Sequence, residues 1–289
     1  MKVLAVIPAR YGSTRFEAKV LAKDTGKFLV QHTYERALCA KMVEKVLIAT
    51  DSEKVMAACA SFGADCVMTS AAHRSGADRI AEAVRDIDAE IIVNLQADEP
   101  EIEPANIDKL VGLLQKSNAD MATLVADFTD KEQILDPNIV KVVILSCVVR
   151  DASYEKEKMD SCLRRNDNAQ DAIRNKQHAT RNTQHDIGRA IYFSRLPIPY
   201  DRRAGGIGKI AGYLRHLGIY TYRKDFLLKF TTLPQGELEK CEKLEQLRAI
   251  EHGFSIMTGK VEHAWEGIDT PEQYAAFVKR YKNSHKGDN

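Results

Sequence analysis

Short apolar runs alternate with amphipathic stretches along the first half of the chain. Four runs rich in Val, Ile and Leu predict strands buried on both faces. These runs are Val3–Pro8, Lys45–Ala49, Ile91–Leu95 and Met121–Val125. Apolar residues at helical spacing predict four helices between them. These helices are Leu29–Lys41, Glu53–Phe62, Asp78–Ile87 and Ala105–Leu114. The alternation predicts an α/β fold with a mixed, mostly parallel sheet flanked by helices, in a Rossmann-like arrangement.

The second half has a looser pattern of apolar residues. Its predicted elements are strands over Val140–Leu145, Ala190–Ser194 and Leu217–Tyr222 and a charged helix over Glu239–Glu251. Thr270 and Pro271 predict the start of the last helix, with Thr270 as the N-cap and Pro271 in the first turn. Earlier in the chain, the run Thr50-Asp51-Ser52-Glu53 has the spacing of a capping box.

One segment interrupts this pattern. Between Asp151 and Asp186 the chain has seven acidic and seven basic residues, many amides and few large apolar side chains. Such a segment cannot bury much surface, which predicts a solvated loop. We therefore expect one domain over residues 1–289 with a polar insertion at about 151–186. A tolerated surface insertion and a regulatory or partner-binding segment both fit this composition.

Charge and apolar content exclude some classes of protein. Lys and Arg number 42 against 41 Asp and Glu, whereas nucleic-acid and membrane-surface binders need a net basic surface. No run approaches the roughly 20 apolar residues of a membrane span. The run Val3–Ile7 is too short for a signal peptide, so we expect a cytoplasmic protein. The six cysteines form no CxxC pair, which favours reduced structural thiols.

The loop after the first strand is rich in cations. Arg10, Arg15 and Lys19 follow that strand closely, and Gly12 and Ser13 permit a tight turn whose backbone N–H groups can face an anion. Positive charge combined with N–H donors suits a triphosphate. The GxxxxGK[ST] pattern of a P-loop is absent.

Two acidic positions are candidates for a metal site. Asp98 follows the strand Ile91–Leu95, and ligands of open α/β sheets bind outside the carboxyl ends of strands. A carboxylate there can hold Mg²⁺ against phosphate oxygens. Asp269 precedes the last helix and fits either a second metal ligand or a helix-initiating residue. In the second half, Arg195, Arg215 and His216 offer donors for a carboxylate and for hydroxyl groups.

Together these motifs resemble the 3-deoxy-manno-octulosonate cytidylyltransferases, also called CMP-KDO synthetases. The resemblance runs through ten blocks in the same order over most of the chain. The blocks are Ile7–Arg15, Gln31–Ala37, Ala49–Asp51, Ser75–Arg79, Asn94–Pro100, Pro137–Val143, Tyr192–Tyr200, Tyr213–Tyr220, Leu244–Arg248 and Gly267–Pro271.

The resemblance implies a nucleotide-diphospho-sugar transferase-like fold and a homodimer. It implies a nucleotidyltransferase that transfers CMP from CTP to the anomeric hydroxyl of 3-deoxy-D-manno-octulosonate (KDO), releasing pyrophosphate, for lipopolysaccharide synthesis. The implied nucleotide contacts are Ala9, Arg10, Ser13, Arg15, Lys19, Ser75, Arg79 and Gln96. The implied contacts of the sugar acid are Gln96, Arg195, Arg215, His216, Tyr220, Glu245 and Gln246. Asp98 and Asp269 would bind Mg²⁺ and, with Arg10 and Lys19, form the catalytic set.

The chain departs from the family pattern at two places in the proposed site. The family has Leu-Pro-Gly where this chain has Phe16-Glu17-Ala18, and Gly where it has Ala97. Alanine costs about 1 kcal/mol wherever the backbone needs a positive φ. Two alternatives therefore stay open: a cytidylyltransferase for a related acid such as 8-amino-3,8-dideoxy-octulosonate, and a catalytically weak nucleotide-binding homologue.

Deleting Ala152–Gln184 should leave activity largely intact, because this polar segment contributes little buried surface. Pyrophosphate release by the purified deletion variant measures this. A folded variant with no activity would show instead that the insertion has a function.

Overall fold

The computed structural model describes residues 1–12, 16–73, 75–146, 187–263 and 267–284. Its strands are β1 (Val3–Pro8), β2 (Lys45–Thr50), β3 (Cys66–Met68), β4 (Ile91–Asn94), β5 (Met121–Asp127), β6 (Lys141–Ser146), β7 (Ile187–Ser194), β8 (Leu214–Arg223) and β9 (Ile256–Val261). Its α-helices are α1 (Leu29–Leu38), α2 (Glu53–Ser61), α3 (Gly76–Val84), α4 (Pro104–Gln115), α5 (Lys131–Leu135), α6 (Lys224–Phe230), α7 (Glu237–Glu242), α8 (Gln246–Glu251) and α9 (Pro271–Ser284). The predicted insertion at 151–186 lies outside these residues.

The strands form one sheet, in the order β3-β2-β1-β4-β8-β5-β9-β7-β6. Strands β3, β2, β1 and β4 are parallel, so their carboxyl ends meet at one edge. Alternate residues of β1 face opposite layers: Ile7 packs in the core beneath α1, α2 and α4, and Val6 in the core beneath α3 and α6. Burial on both faces explains the continuous apolar runs of these strands.

Strand β8 joins this parallel half to a closed ring. It pairs antiparallel with β4 and with β5, and its first residues also pair with β6. The ring closes through β5–β9, β9–β7 and β7–β6. The prediction of a mostly parallel sheet is therefore wrong, because only four of the nine strand pairings among the described residues are parallel. The mixed sheet and the flanking helices are confirmed.

Several local predictions needed correction. The predicted helix Glu239–Glu251 is two helices, because Lys243 adopts a left-handed conformation (φ 54°) and ends α7. The predicted capping box is wrong: Ser52 is the N-cap of α2 and makes no side-chain cap bond, while its N–H donates to Thr50 Oγ1 at 3.3 Å. None of the helices within the described residues is long and apolar enough to cross a membrane.

The two alanines that replace family glycines differ in backbone conformation. Ala18 has φ 49° and ψ 26°, in the left-handed region. Ala97 is not among the positive-φ residues, and its buried carbonyl accepts the Thr33 hydroxyl at 3.3 Å. Of these two alanines, only Ala18 has a strained backbone conformation, and it lies directly before Lys19.

Ala18→Gly should raise the free energy of unfolding by about 1 kcal/mol, because glycine adopts this conformation without a Cβ clash. Ala97→Gly is the matched control and should lower it, since it removes a buried methyl and adds backbone entropy to the unfolded chain. Urea unfolding measures both values. Equal effects of the two substitutions would contradict this account.

Candidate active site

Asp98 and Asp269, far apart in sequence, converge on one ammonium group. Lys19 Nζ lies 2.6 Å from Asp98 Oδ2 and 3.0 Å from Asp269 Oδ1. The Lys19 side chain is only 10% exposed, whereas those of Asp98 and Asp269 are 25% and 41% exposed, so the ammonium is shielded from solvent more than its partners are. The structure thus brings together three of the four predicted catalytic residues.

Backbone contacts fix this convergence. The N–H of Ile268 donates to the Asp98 carbonyl at 2.8 Å, which ties the segment before α9 to the end of β4. The Gln273 side-chain oxygen accepts the N–H groups of Asp269 and Thr270. The Thr270 hydroxyl in turn accepts the Gln273 N–H at 3.3 Å, which confirms the predicted N-cap of the last helix.

The paired carboxylates fit a magnesium ion. Mg²⁺ is commonly held by one or two carboxylates, with substrate phosphates and water as its other ligands. Among the described residues no third His, Cys, Asp or Glu completes a metal-binding cluster. The Lys19 ammonium shows that the two oxygens already accommodate a cation between them. The donor set therefore suits an ion that enters with a phosphate ligand.

A cleft of about 240 Å³ opens at the carboxyl edge of the parallel strands. It is lined by Pro8, Arg10, His73, Ser75, Gly76, Arg79 and Gln96. Four of these residues were predicted as nucleotide contacts. Arg10 is exposed, and the Ser75 hydroxyl caps α3 by accepting the Asp78 N–H at 3.1 Å. Ser13 and Arg15 lie outside the described residues.

Asp51 organises one wall of this cleft. Its carboxylate accepts the Arg79 guanidinium at 2.7 Å and the Tyr11 N–H at 3.3 Å. Arg79 also donates to Thr69 Oγ1 at 2.6 Å, so its charge is largely engaged within the protein. Ala9 is buried and its N–H donates to the Ala49 carbonyl at 2.8 Å, which leaves this amide unavailable to a ligand.

A second cavity of about 260 Å³ lies beside β8. It is lined by Asn138, Ile139, Val140, Arg215, His216, Gly218, Tyr220, Leu244 and Gln246. Four of these residues were predicted as sugar contacts. Among the described side chains, Gln246 Nε2 and Glu245 Oε1 are buried and make no hydrogen bond. Because unpaired buried polar atoms are costly, Gln246 Nε2 suits a hydroxylated ligand. Glu245 Oε1 lies 3.7 Å from the Arg248 guanidinium, and Glu245 lines a separate cavity with Ser75 and Arg248.

His216 enters this cavity as a neutral imidazole. Burial lowers the pKa of its ring to about 3. Its Nε2 lies 3.0 Å from Thr123 Oγ1, and that hydroxyl also faces the carbonyls of Leu217 and Ile219. The single hydroxyl hydrogen goes to a carbonyl, so Nε2 is the donor to Thr123. Nδ1 is then left as an acceptor, which is the reverse of the donor role expected from sequence.

The comparisons with known proteins agree on one family. The family model described as cytidylyltransferase matches residues 4–158 and 144–256. A 3-deoxy-manno-octulosonate cytidylyltransferase of Solibacter usitatus is 42% identical over 98% of this chain and 96% of its own length. That of Geotalea uraniireducens is 38% identical over 98% and 100%. The chain belongs to the 3-deoxy-manno-octulosonate cytidylyltransferase family.

Solved structures place the chain in the same family. CMP:2-keto-3-deoxy-manno-octonic acid synthetase complexed with CTP aligns with a TM-score of 0.78 and 35% identity, over 98% of this chain and 100% of that one. A cytidylyltransferase of Leptospira borgpetersenii aligns at 0.54 and 16% identity, covering 96% and 85%, and shares the fold.

Some residues of this cytidylyltransferase have a different environment from the one expected. Arg195 donates to the carbonyls of Pro137, Glu242 and Lys243, contacts typical of a structural arginine. Asp51 and His73 were not predicted as site residues, although Asp51 lies in a matched block. Glu99 was not predicted as a site residue either. Loss of solvation, aided by Asp98, raises the pKa of its carboxyl to about 8, and Arg215 opposes the rise.

His216 should make the protein less stable in acid. Its pKa is about 3 when folded and 6.5 ordinarily, so between these values the unfolded chain binds a proton that the folded protein does not. We expect the wild type to lose about 2 kcal/mol more than His216→Asn between about pH 7 and 5.

Urea unfolding at the two pH values measures the difference. The exposed His252 offers the control variant His252→Asn, whose pH dependence should follow that of the wild type. Identical pH dependence of wild type and His216→Asn would contradict a neutral buried imidazole.

Proposed function

We propose that this protein transfers CMP from CTP to the anomeric hydroxyl of KDO and releases pyrophosphate, a step of lipopolysaccharide synthesis. The observation that carries the proposal is the convergence of Asp98, Asp269 and Lys19 on the strand edge that bears the cleft around Arg10 and Gln96. The named activity of the matched relatives supports it.

In this proposal the phosphates of CTP lie against Arg10 and Lys19. Asp98 and Asp269 would hold Mg²⁺, which when bound neutralises phosphate charge and polarises the reacting oxygens. The sugar hydroxyl oxygen forms a bond with the α-phosphorus as the bond to the leaving pyrophosphate breaks, and the hydroxyl proton passes to solvent. Such transfers depend mostly on positioning and charge neutralisation, so the chain needs no dedicated side-chain base.

The cavity beside β8 would hold the sugar acid. Arg215 offers a cation for its carboxylate, and Gln246 Nε2 offers a donor for a hydroxyl. His216 Nδ1 offers an acceptor. Glu245 lines a separate cavity with Ser75 and Arg248, and in this proposal its Oε1 is a further acceptor. Burial raises the pKa of the Glu245 carboxyl, and nearby Ser75 and Arg248 oppose the rise.

The Glu245 carboxylate is also compatible with the related amino sugar acid as the substrate. An ammonium group could donate to Glu245 Oε1, which makes no hydrogen bond, as well as a hydroxyl would. Assaying both acids with CTP separates the two substrates.

A homodimer and a cytoplasmic location are further parts of the proposal. Leu145, Ile191, Leu196 and Tyr200 lie on the antiparallel strands β6 and β7 or in the segment after β7 and are 48–70% exposed. Contiguous exposed apolar surface marks sites where another protein binds. We therefore assign the face around β6 and β7 to the second subunit.

Asp98→Asn should reduce pyrophosphate release with CTP, KDO and Mg²⁺ at least about 100-fold, because it removes a charge from the metal site. The fold should persist, as judged by circular dichroism. Glu103→Gln is the matched control: Glu103 makes no side-chain cap bond at the start of α4, and this variant should stay fully active.

Unchanged activity of Asp98→Asn would refute the metal assignment. A wild type that binds CTP but never releases pyrophosphate would favour the catalytically weak homologue.

A further inference from the structure

The Lys19 ammonium lies between the two carboxylates that the proposed function assigns to the metal. Its distances of 2.6 Å and 3.0 Å are those of charge-assisted hydrogen bonds to both acids. One of the two negative charges of Asp98 and Asp269 is thus already balanced by a cation of the protein. A divalent ion that takes both oxygens must first displace that cation.

We propose that Lys19 acts as an exchangeable counter-ion, which holds the cation site in the free enzyme and leaves it only when a nucleoside triphosphate binds. The inference rests on the proposed function, since it concerns the same two aspartates. Its consequence is that free Mg²⁺ binds weakly and that metal and nucleotide bind as a coupled pair.

Lys19 and a divalent cation compete for the two oxygens that face each other, Asp98 Oδ2 and Asp269 Oδ1. An ammonium group has three donors and no lone pair, so it competes for ligand oxygens and cannot serve as a ligand itself. Two cations at contact distance also repel strongly where solvent is limited. Solvent is limited around the Lys19 ammonium, because the side chain is only 10% exposed.

The exchange needs movement of the side chain only. The Lys19 backbone belongs to a 3₁₀ turn, Lys19–Leu21, in which Val20 is buried. The preceding Phe16 packs on Tyr274 of α9, with ring centroids 5.5 Å apart. The flexible lysine stem can therefore turn toward a new anion while its backbone stays in place.

A bound triphosphate supplies what the exchange requires. Gln96 lines the nucleotide cleft and precedes Asp98 on the same turn, so phosphates in that cleft arrive next to the site. They offer Lys19 a second set of acceptors and offer the metal its remaining ligands. By reciprocity, the factor by which nucleotide tightens metal binding equals the factor by which metal tightens nucleotide binding.

The test measures Mn²⁺ binding by electron paramagnetic resonance, with and without CTP and without sugar acid, so that no turnover occurs. Wild type should bind Mn²⁺ at least about tenfold more weakly without CTP than with it. In Lys19→Gln this ratio should be smaller than in the wild type, because Mn²⁺ binds the vacated carboxylates without nucleotide and only the contribution of the phosphate ligands remains. Lys19→Met is a second uncharged variant if Lys19→Gln does not fold.

Lys23→Gln is the matched control, since Lys23 is exposed on the same loop and its ammonium stacks on the Phe28 ring. It should keep the wild-type ratio. A folded Lys19→Gln with the wild-type ratio would overturn the counter-ion role and leave the proposed metal site intact. Absence of Mn²⁺ binding by the wild type even with CTP would overturn the metal site itself.

Discussion

Two ionised aspartates at contact distance repel each other unless a cation lies between them. In this protein Lys19 supplies that cation for Asp98 and Asp269. The amino-terminal loop, the end of β4 and the start of α9 are thereby joined at one point. Packing near this point also ties α9 to the amino-terminal loop, because Tyr274 of α9 accepts the Asp24 N–H at 2.8 Å and contacts Phe16.

The second organising element is β8. Its C-terminal half pairs with β4, whose end leads to Asp98, and its N-terminal half carries Arg215 and His216 into the other cavity. One strand therefore sets the distance between the proposed phosphate-binding edge and the proposed sugar pocket. Tyr220, opposite Asn94 of β4, lies where the two regions meet.

The parallel half of the fold was predictable because its strands are buried on both faces and read as apolar runs. The ring was not. Strand β9 alternates apolar residues with Thr, Gly and Lys, and its partners β5 and β7 are distant in sequence. Lys243 gave no local signal for the left-handed turn that splits the predicted helix, since lysine has no preference for that conformation.

The residues of the site likewise divide into those that the sequence could predict and those that it could not. Asp98 and Asp269 were predicted from motifs. Each lies next to the end of an element that the sequence pattern located, β4 for Asp98 and α9 for Asp269. The engagement of Arg79 by Asp51, and of Arg195 by backbone carbonyls, depends on tertiary contacts that no local pattern encodes. The donor and acceptor roles of His216 depend likewise on Thr123, which lies on another strand.

Sharing β8 between an open sheet and a closed ring limits how the chain can change in length. A one-residue slip of a strand exchanges its two faces, and here both neighbouring regions would be affected together. A change of length within β8 is therefore tolerated only where a bulge takes it up, as at Gly218 and Ile219, which lie between the partners of Leu124 and Thr123 of β5. The long polar segment at 151–186 lies outside β8, so its length does not shift this register.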